Sequence, residues 1–158
     1  MIVTLIHPCI GKHVGQKDYI RTWQMEPLGA ATLASLTPNE HSIKFYDDRV
    51  ESIPYSEKTD LVAISIETYT AKRAYQIASE YRKRNIPVVM GGFHASLCPE
   101  EVSQYAESVV VGEAESSWRQ ILLDAEKKTL KTYYQSFKRP SLDHLMPDRS
   151  IFNGKKYV

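Results

Sequence analysis

The chain has 158 residues, 42% hydrophobic and 25% charged, which is enough for one domain with its own core and too apolar for a disordered tail. Lys and Arg total 20 against 19 Asp and Glu, and a net charge of +1 gives no electrostatic footprint for nucleic acid. No apolar run reaches the ~18–20 residues of a membrane span, the start lacks a basic signal region, and 2 cysteines cannot build a disulfide framework, so the expected location is cytoplasmic.

Ile2-Val3-Thr4-Leu5-Ile6 is short and β-branched and predicts a buried strand, ended by His7-Pro8. A long loop with Gly11 and Gly15 follows. Pro27 suits a first helical position, and Leu28, Ala31, Leu33, Ala34 and Leu36 continue an apolar helix. In Ser42-Ile43-Lys44-Phe45-Tyr46, apolar and polar residues alternate, as on a half-exposed edge strand. Leu61 to Ile66 is almost wholly apolar and predicts a central parallel strand. From Thr70 to Arg84 a stripe of Ala74, Ile77, Ala78 and Tyr81 predicts a helix. Pro87 to Met90 is a short strand stopped by Gly91-Gly92, and Pro99-Glu100-Glu101 opens a short helix. Ser108 to Val111 is the last clear core strand, followed by a helix from about Glu115 to Lys127.

Strand and helix alternate throughout. The expected fold is α/β, a flavodoxin-like or Rossmann-like doubly wound, mostly parallel five-stranded sheet of order 2-1-3-4-5 with helices on both faces. Leu130 to Tyr134 could add an extra edge strand. The predicted division is residues 1–128 as the domain and 129–158 as edge strand and linker, because Pro140 to Val158 has two prolines, few aliphatics and no period.

In such folds ligands gather beyond the carboxyl ends of the strands. Four stretches converge there: His7-Pro8-Cys9, Ser65 to Tyr69, Gly91 to His94, and Gly112 to Glu115. Glycines let a ligand approach the backbone, although a glycine pair also marks a plain turn. Ser65, Thr68 and Thr70 can bond a ligand or cap a helix. Glu113 and Glu115 can bond polar ligand groups or simply enrich a helix start in acid. Asp47-Asp48 reads as a turn, His94 and His7 as loop histidines, and Cys9 and Cys98, without CxxC spacing, as inert small hydrophobes. No GxGxxG, P-loop or nucleophile elbow is present, and the residues alone offer no metal site and no catalytic residue.

Four segments together, EPLGAATLASL from Glu26, DLVAISIETYT from Asp60, PVVMGGFHASLCPEE from Pro87 and VVVGEAE from Val109, carry a resemblance. They resemble the N-terminal cobalamin (vitamin B12)-binding domain of radical S-adenosylmethionine enzymes, where PPLGL, DLVGIS, VVxGGxHxTxxPEE and VxGEGE recur. The resemblance spans residues 1–127. It implies a cobalamin-binding domain whose cofactor site includes Ser65, Glu67, Thr68, Tyr69, Gly91, Gly92, Phe93, His94, Gly112 and Glu113. Ser65, Gly91 and Gly92 would line the nucleotide tail, and small Ala30, Ala31, Ala34 and Ala95 would leave it room. A side chain at Gly92 is expected to cost cofactor retention more than stability.

Two departures qualify the resemblance. The DxHxxG lower-ligand motif is absent: near His13, Gly11 stands at the aspartate position and Gln16 at the glycine. Cobalamin is therefore expected without a protein histidine ligand. No CxxxCxxC occurs, so S-adenosylmethionine and an iron–sulfur cluster would belong to a C-terminal radical domain, the expected partner. The full enzyme would transfer methyl groups or carry out an anaerobic cyclisation or rearrangement. The rival readings are a small-ligand or signalling module on the same scaffold, and a degenerate domain that no longer binds cobalamin. Glu26 for the usual proline and Ala114 for the usual glycine keep the last in play.

Overall fold

Hydrophobic runs on both sides of a strand demand cover on both faces, and the chain supplies it. The computed structural model describes residues 1–11, 24–136, 140–141, 143 and 145–157. The strands are β1 (Ile2–His7), β2 (Ser42–Asp47), β3 (Leu61–Ser65), β4 (Val88–Gly91), β5 (Ser108–Val111) and β6 (Tyr133–Gln135). They form one sheet of order β2-β1-β3-β4-β5-β6, and every pair is parallel. The helices are α1 (Leu28–Leu36), α2 (Ala71–Arg82), α3 (Phe93–Leu97), α4 (Pro99–Val102) and α5 (Trp118–Glu126). The expected doubly wound fold is present, and β6 is the added edge strand.

Successive side chains on a strand point to opposite faces, so each core strand feeds two cores. Val62, Ile64, Val88, Met90 and Val109 face Ala74, Ile77, Ala78 and Tyr81 of α2. Val3, Leu5, Ala63, Val89 and Val110 face Ala31 and Ala34 of α1 and Trp118, Ile121 and Leu122 of α5. The buried Trp118 indole N–H donates to the Thr37 hydroxyl at 2.8 Å, tying α5 to the end of α1. β6 is held by its tyrosine: Tyr134 is buried and its hydroxyl donates to Asp124 at 2.7 Å.

The helix ends follow backbone chemistry. α2 begins after a 3-10 turn, Thr68–Thr70, in which the Glu67 N–H donates to the Thr70 hydroxyl at 3.0 Å. Asn85, just past α2, takes φ 58°, a left-handed conformation that asparagine tolerates and that halts a helix. The predicted helix at 115–127 is a 3-10 turn, Ala114–Ser116, followed by α5. α3 has no counterpart in the sequence reading, since five residues are too short to show a helical period.

Part of the region read as linker folds back on the domain. A 3-10 turn spans Arg149–Phe152, the Asp148 N–H donates to the Ala31 carbonyl at 2.9 Å, and Phe152 is buried. Phe152 meets Phe45 and Tyr157 edge-on, each with centroids 5.5 Å apart. One aromatic anchor has no periodicity, which is why the sequence conceals it.

Candidate functional site

The strand order reverses about β1, which has β2 on one side and β3 on the other. Such reversals leave a crevice at the carboxyl end of the sheet. Beside it, a cavity of about 180 Å³ lies between α1, the approach to α5 and the ends of β3, β4 and β5. Gly29, Ala30 and Leu33 of α1 form one wall, Ala63, Ser65, Val89, Gly91 and Val110 the sheet side, and Trp118 closes it. Gly112, Glu113, Ala114 and Glu115 line the remaining side.

Three glycines here have different physical reasons. Gly92 takes φ +102°, and a Cβ there would stand 2.8 Å from the Ile66 carbonyl oxygen and 3.0 Å from its nitrogen. Those backbone atoms hold the loop, because the Ile66 N–H donates to the Gly91 carbonyl at 2.8 Å and the His94 N–H to the Ile66 carbonyl at 3.1 Å. Gly92 is therefore required by the turn itself, and a side chain there costs stability. Gly112 takes φ +84°, and its N–H donates to the Ser96 hydroxyl at 2.9 Å. Gly91 has no such backbone demand. Its Cβ would sit in ordinary contact, 3.4 Å from the Val110 Cβ, pointing into the cavity that both residues line.

Of the ten site residues drawn from the sequence, Ser65, Gly91, Gly92, Gly112 and Glu113 line this cavity; Glu67, Thr68, Tyr69, Phe93 and His94 do not. Tyr69 and Phe93 are 64% and 62% exposed above the strand ends. Thr68 opens the 3-10 turn before α2. His94 is a buried residue of α3 rather than a loop histidine, and it packs with Ala95 on the α2 side of the sheet. Its Nδ1 lies 3.3 Å from the Thr68 hydroxyl and its Nε2 3.2 Å from the Tyr75 hydroxyl. Of the four alanines, Ala30 lines the cavity, Ala31 and Ala34 pack in the α1 core, and Ala95 packs in the opposite core. His13 lies outside the described residues. The sequence reading missed Trp118 and Leu33 as walls, because core residues at a helical period give no sign that they also border a void.

A charged cluster occupies the ends of β1 and β2. Asp47 and Asp48 are fully buried, and Asp47 does make the turn expected of it, its Oδ1 accepting from the Arg49 N–H at 3.0 Å. The same carboxylate pairs with the Arg49 guanidinium at 2.6 Å and accepts from the Tyr157 hydroxyl at 3.0 Å. Burial opposes ionisation of Asp47, but the hydrogen bonds and charge of Arg49 override it and hold the carboxyl below its usual range. Asp48 takes a bidentate pair from Arg73 at 2.7 and 2.8 Å. It also accepts from the Cys9 thiol at 2.8 Å. Burial and Asp48 push that thiol up to about 11, which fits the inert role read for Cys9. Burial and the Arg49 charge lower His7 to about 4, so it is neutral at pH 7 despite Asp47.

The B12 binding domain model matches residues 22–122. The bacteriochlorophyllide d C-8(2)-methyltransferase of Chlorobaculum tepidum is 40% identical over 121 residues, 76% of this chain and 27% of the relative. The bacteriochlorophyllide d C-12(1)-methyltransferase of the same organism is 30% identical over 138 residues, 83% of this chain and 30% of the relative. An uncharacterised methyltransferase of Pyrococcus horikoshii is 33% identical over 115 residues, 65% of this chain and 25% of the relative. The chain thus spans between a quarter and a third of the length of these curated relatives. No solved structure matches it.

Proposed function

The chain belongs to the B12-binding domain family, and from that premise we propose that it is the cobalamin-binding part of a cobalamin-dependent radical S-adenosylmethionine methyltransferase, with the cofactor's nucleotide tail in the cavity beside Gly91. The observation that carries the reading is the cavity's size and lining. An apolar cavity of about 150 Å³ accepts a benzene ring, so about 180 Å³ bounded by Gly29, Ala30, Ala63 and Gly91 suits a flat aromatic base such as dimethylbenzimidazole. Ser65 and Glu113 supply polar contacts at the rim, and the exposed Tyr69 and Phe93 offer apolar surface above the strand ends for the corrin edge. When bound, cobalamin supplies a cobalt centre that can accept and donate a methyl group. The protein binds and orients that group and excludes water from its tail.

Cobalt takes no protein imidazole in this account. Neither His94 nor His7 lines the cavity, and His94 packs on the opposite side of the sheet. The relatives are methyltransferases, which favours methyl transfer over cyclisation or rearrangement. S-adenosylmethionine and the iron–sulfur cluster belong to a C-terminal radical domain, since the 2 cysteines here cannot hold a cluster. No helix among the described residues is long and apolar enough to cross a membrane, and the free Cys9 and Cys98 suit a reducing, cytoplasmic compartment.

The test compares cobalamin with cobinamide, which has the corrin but no nucleotide tail. The reading expects cobalamin to bind at least tenfold more tightly. Equal affinity for the two would remove the tail from the cavity and leave the pocket without its proposed role.

A further inference from the structure

On the α2 side of the sheet, away from the cavity, three side chains of unlike chemistry converge. The His94 Nε2, the Cys98 Sγ and a Glu101 carboxylate oxygen all lie within 4.8 Å of one another. We propose that His94, Cys98 and Glu101 form a binding site for one Zn2+ ion, with a fourth position open to water.

The backbone explains the convergence. The Cys98 N–H donates to the His94 carbonyl at 2.9 Å, so these two residues stack one helical turn apart. At Cys98, with φ −130° and ψ 55°, α3 ends and α4 begins, and the bend carries Glu101 back toward the histidine. The His94 Nε2 and the Glu101 Oε1 stand 3.6 Å apart. Tetrahedral zinc with its usual bond lengths sets a nitrogen and an oxygen donor about 3.3–3.5 Å apart, so this pair stands close to the spacing of two ligands. The Cys98 sulfur lies within 4.8 Å of both and would approach the ion by a turn about its single side-chain torsion.

The supporting shell is built as well. Metal-bound imidazoles need the second nitrogen fixed by an acceptor. The Thr68 hydroxyl, 3.3 Å from Nδ1, is placed to accept its proton, and zinc at Nε2 would displace the contact that this nitrogen makes with the Tyr75 hydroxyl at 3.2 Å. The Tyr75 hydroxyl donates to Glu101 Oε1 at 2.8 Å, and its ring is held by stacking on Tyr105 at 3.9 Å. Charge and softness select the ion. One thiolate and one carboxylate balance a divalent cation, and a sulfur–imidazole pair favours zinc over magnesium or calcium. His94 is buried while Glu101 is exposed, which leaves an open side for entry and for a water ligand. The site is not legible in the sequence because the spacing, His-x3-Cys-x2-Glu, matches no common zinc pattern.

The test uses the reduced, cobalamin-free chain. Zn2+ is titrated against a chromophoric chelator, and inorganic Co2+ serves as the spectroscopic stand-in. One equivalent should bind, with a thiolate-to-cobalt charge-transfer band and the strong visible absorption of a tetrahedral centre. Cys98→Ser should abolish that band and weaken zinc at least a hundredfold. Glu101→Gln, a change on the surface that leaves the core alone, should weaken it at least tenfold, and Tyr75→Phe should cost tenfold to a hundredfold. Zinc should also slow alkylation of Cys98 by iodoacetamide at least tenfold. The proposal is overturned if the wild-type chain takes up no equivalent of zinc, or if zinc affinity and the cobalt spectrum survive in both Cys98→Ser and Glu101→Gln.

Discussion

Gly91 and Gly92 are adjacent and both border the cavity, yet substituting them should have opposite consequences. In Gly91→Val the new Cβ meets only the Val110 side chain, at 3.4 Å, and the residue is in ordinary strand backbone at the end of β4. Valine is a better strand former than glycine, so stability should hold within about 1 kcal/mol. Its three carbons, however, stand inside a cavity of only about 180 Å³. Displacing an equal number of ligand carbons, at about 0.8 kcal/mol each, forfeits about 2.4 kcal/mol, or on the order of fiftyfold in Kd. In Gly92→Ala the Cβ collides with the Ile66 carbonyl at 2.8 Å and the backbone is held at φ +102°. That strain costs about 1–3 kcal/mol, and the melting temperature should fall by about 2–12 °C even without cofactor. The assay is a hydroxocobalamin titration followed by absorbance, paired with a thermal melt of each cofactor-free variant. Gly91→Val binding as well as wild type would refute the cavity argument, as would a Gly91→Val melt as depressed as that of Gly92→Ala.

Arg73→Met leaves the fully buried Asp48 with an uncompensated charge and should cost about 3 kcal/mol, the lower end for such pairs because Arg73 is partly solvated; urea denaturation measures it. His7 should make the fold acid-sensitive. Above pH 6.5 the ring is neutral folded and unfolded; as pH falls from 6.5 toward about 4 only the unfolded chain takes up the proton, so stability is lost across that window. Between pH 7 and pH 5 this amounts to about 2 kcal/mol, so His7→Asn should lose about 4–8 °C less than wild type over that interval in thermal melts. An equal loss in both proteins would clear His7 of the effect. Phe152→Ala should destabilise the domain by about 3 kcal/mol by emptying the contact with Phe45 and Tyr157, whereas a tail that merely lay on the surface would show no change in denaturation midpoint.

Much of the fold was legible because it rests on short apolar strands and striped helices. Leu61 to Ile66 could only be an inner strand, and the Ala74, Ile77, Ala78 and Tyr81 stripe could only face a core. What stayed hidden depends on single residues. Phe152 anchors the tail through one ring, and α3 is five residues long. At the site, residues ending β3, β4 and β5 could be read from topology alone, and Ser65, Gly91 and Gly112 do line the cavity. Thr68 and His94 do not: Thr68 opens the 3-10 turn into α2, and α3 turns His94 onto the other face directly after Gly92, with no sign of either in the sequence spacing. Asp47 and Asp48 read as a turn, and their burial became visible only once Arg49 and Arg73 were seen to pair with them.

Cobalamin held by its tail should stay on this domain through separation from free cofactor. The most direct measurement mixes the purified chain with excess hydroxocobalamin, removes free cofactor by gel filtration, and compares corrin absorbance with protein concentration, with cobinamide as the control. The expected result is a coloured protein carrying about one cobalamin per chain and little cobinamide. A colourless protein at high cofactor excess, or equal retention of both corrinoids, would contradict it.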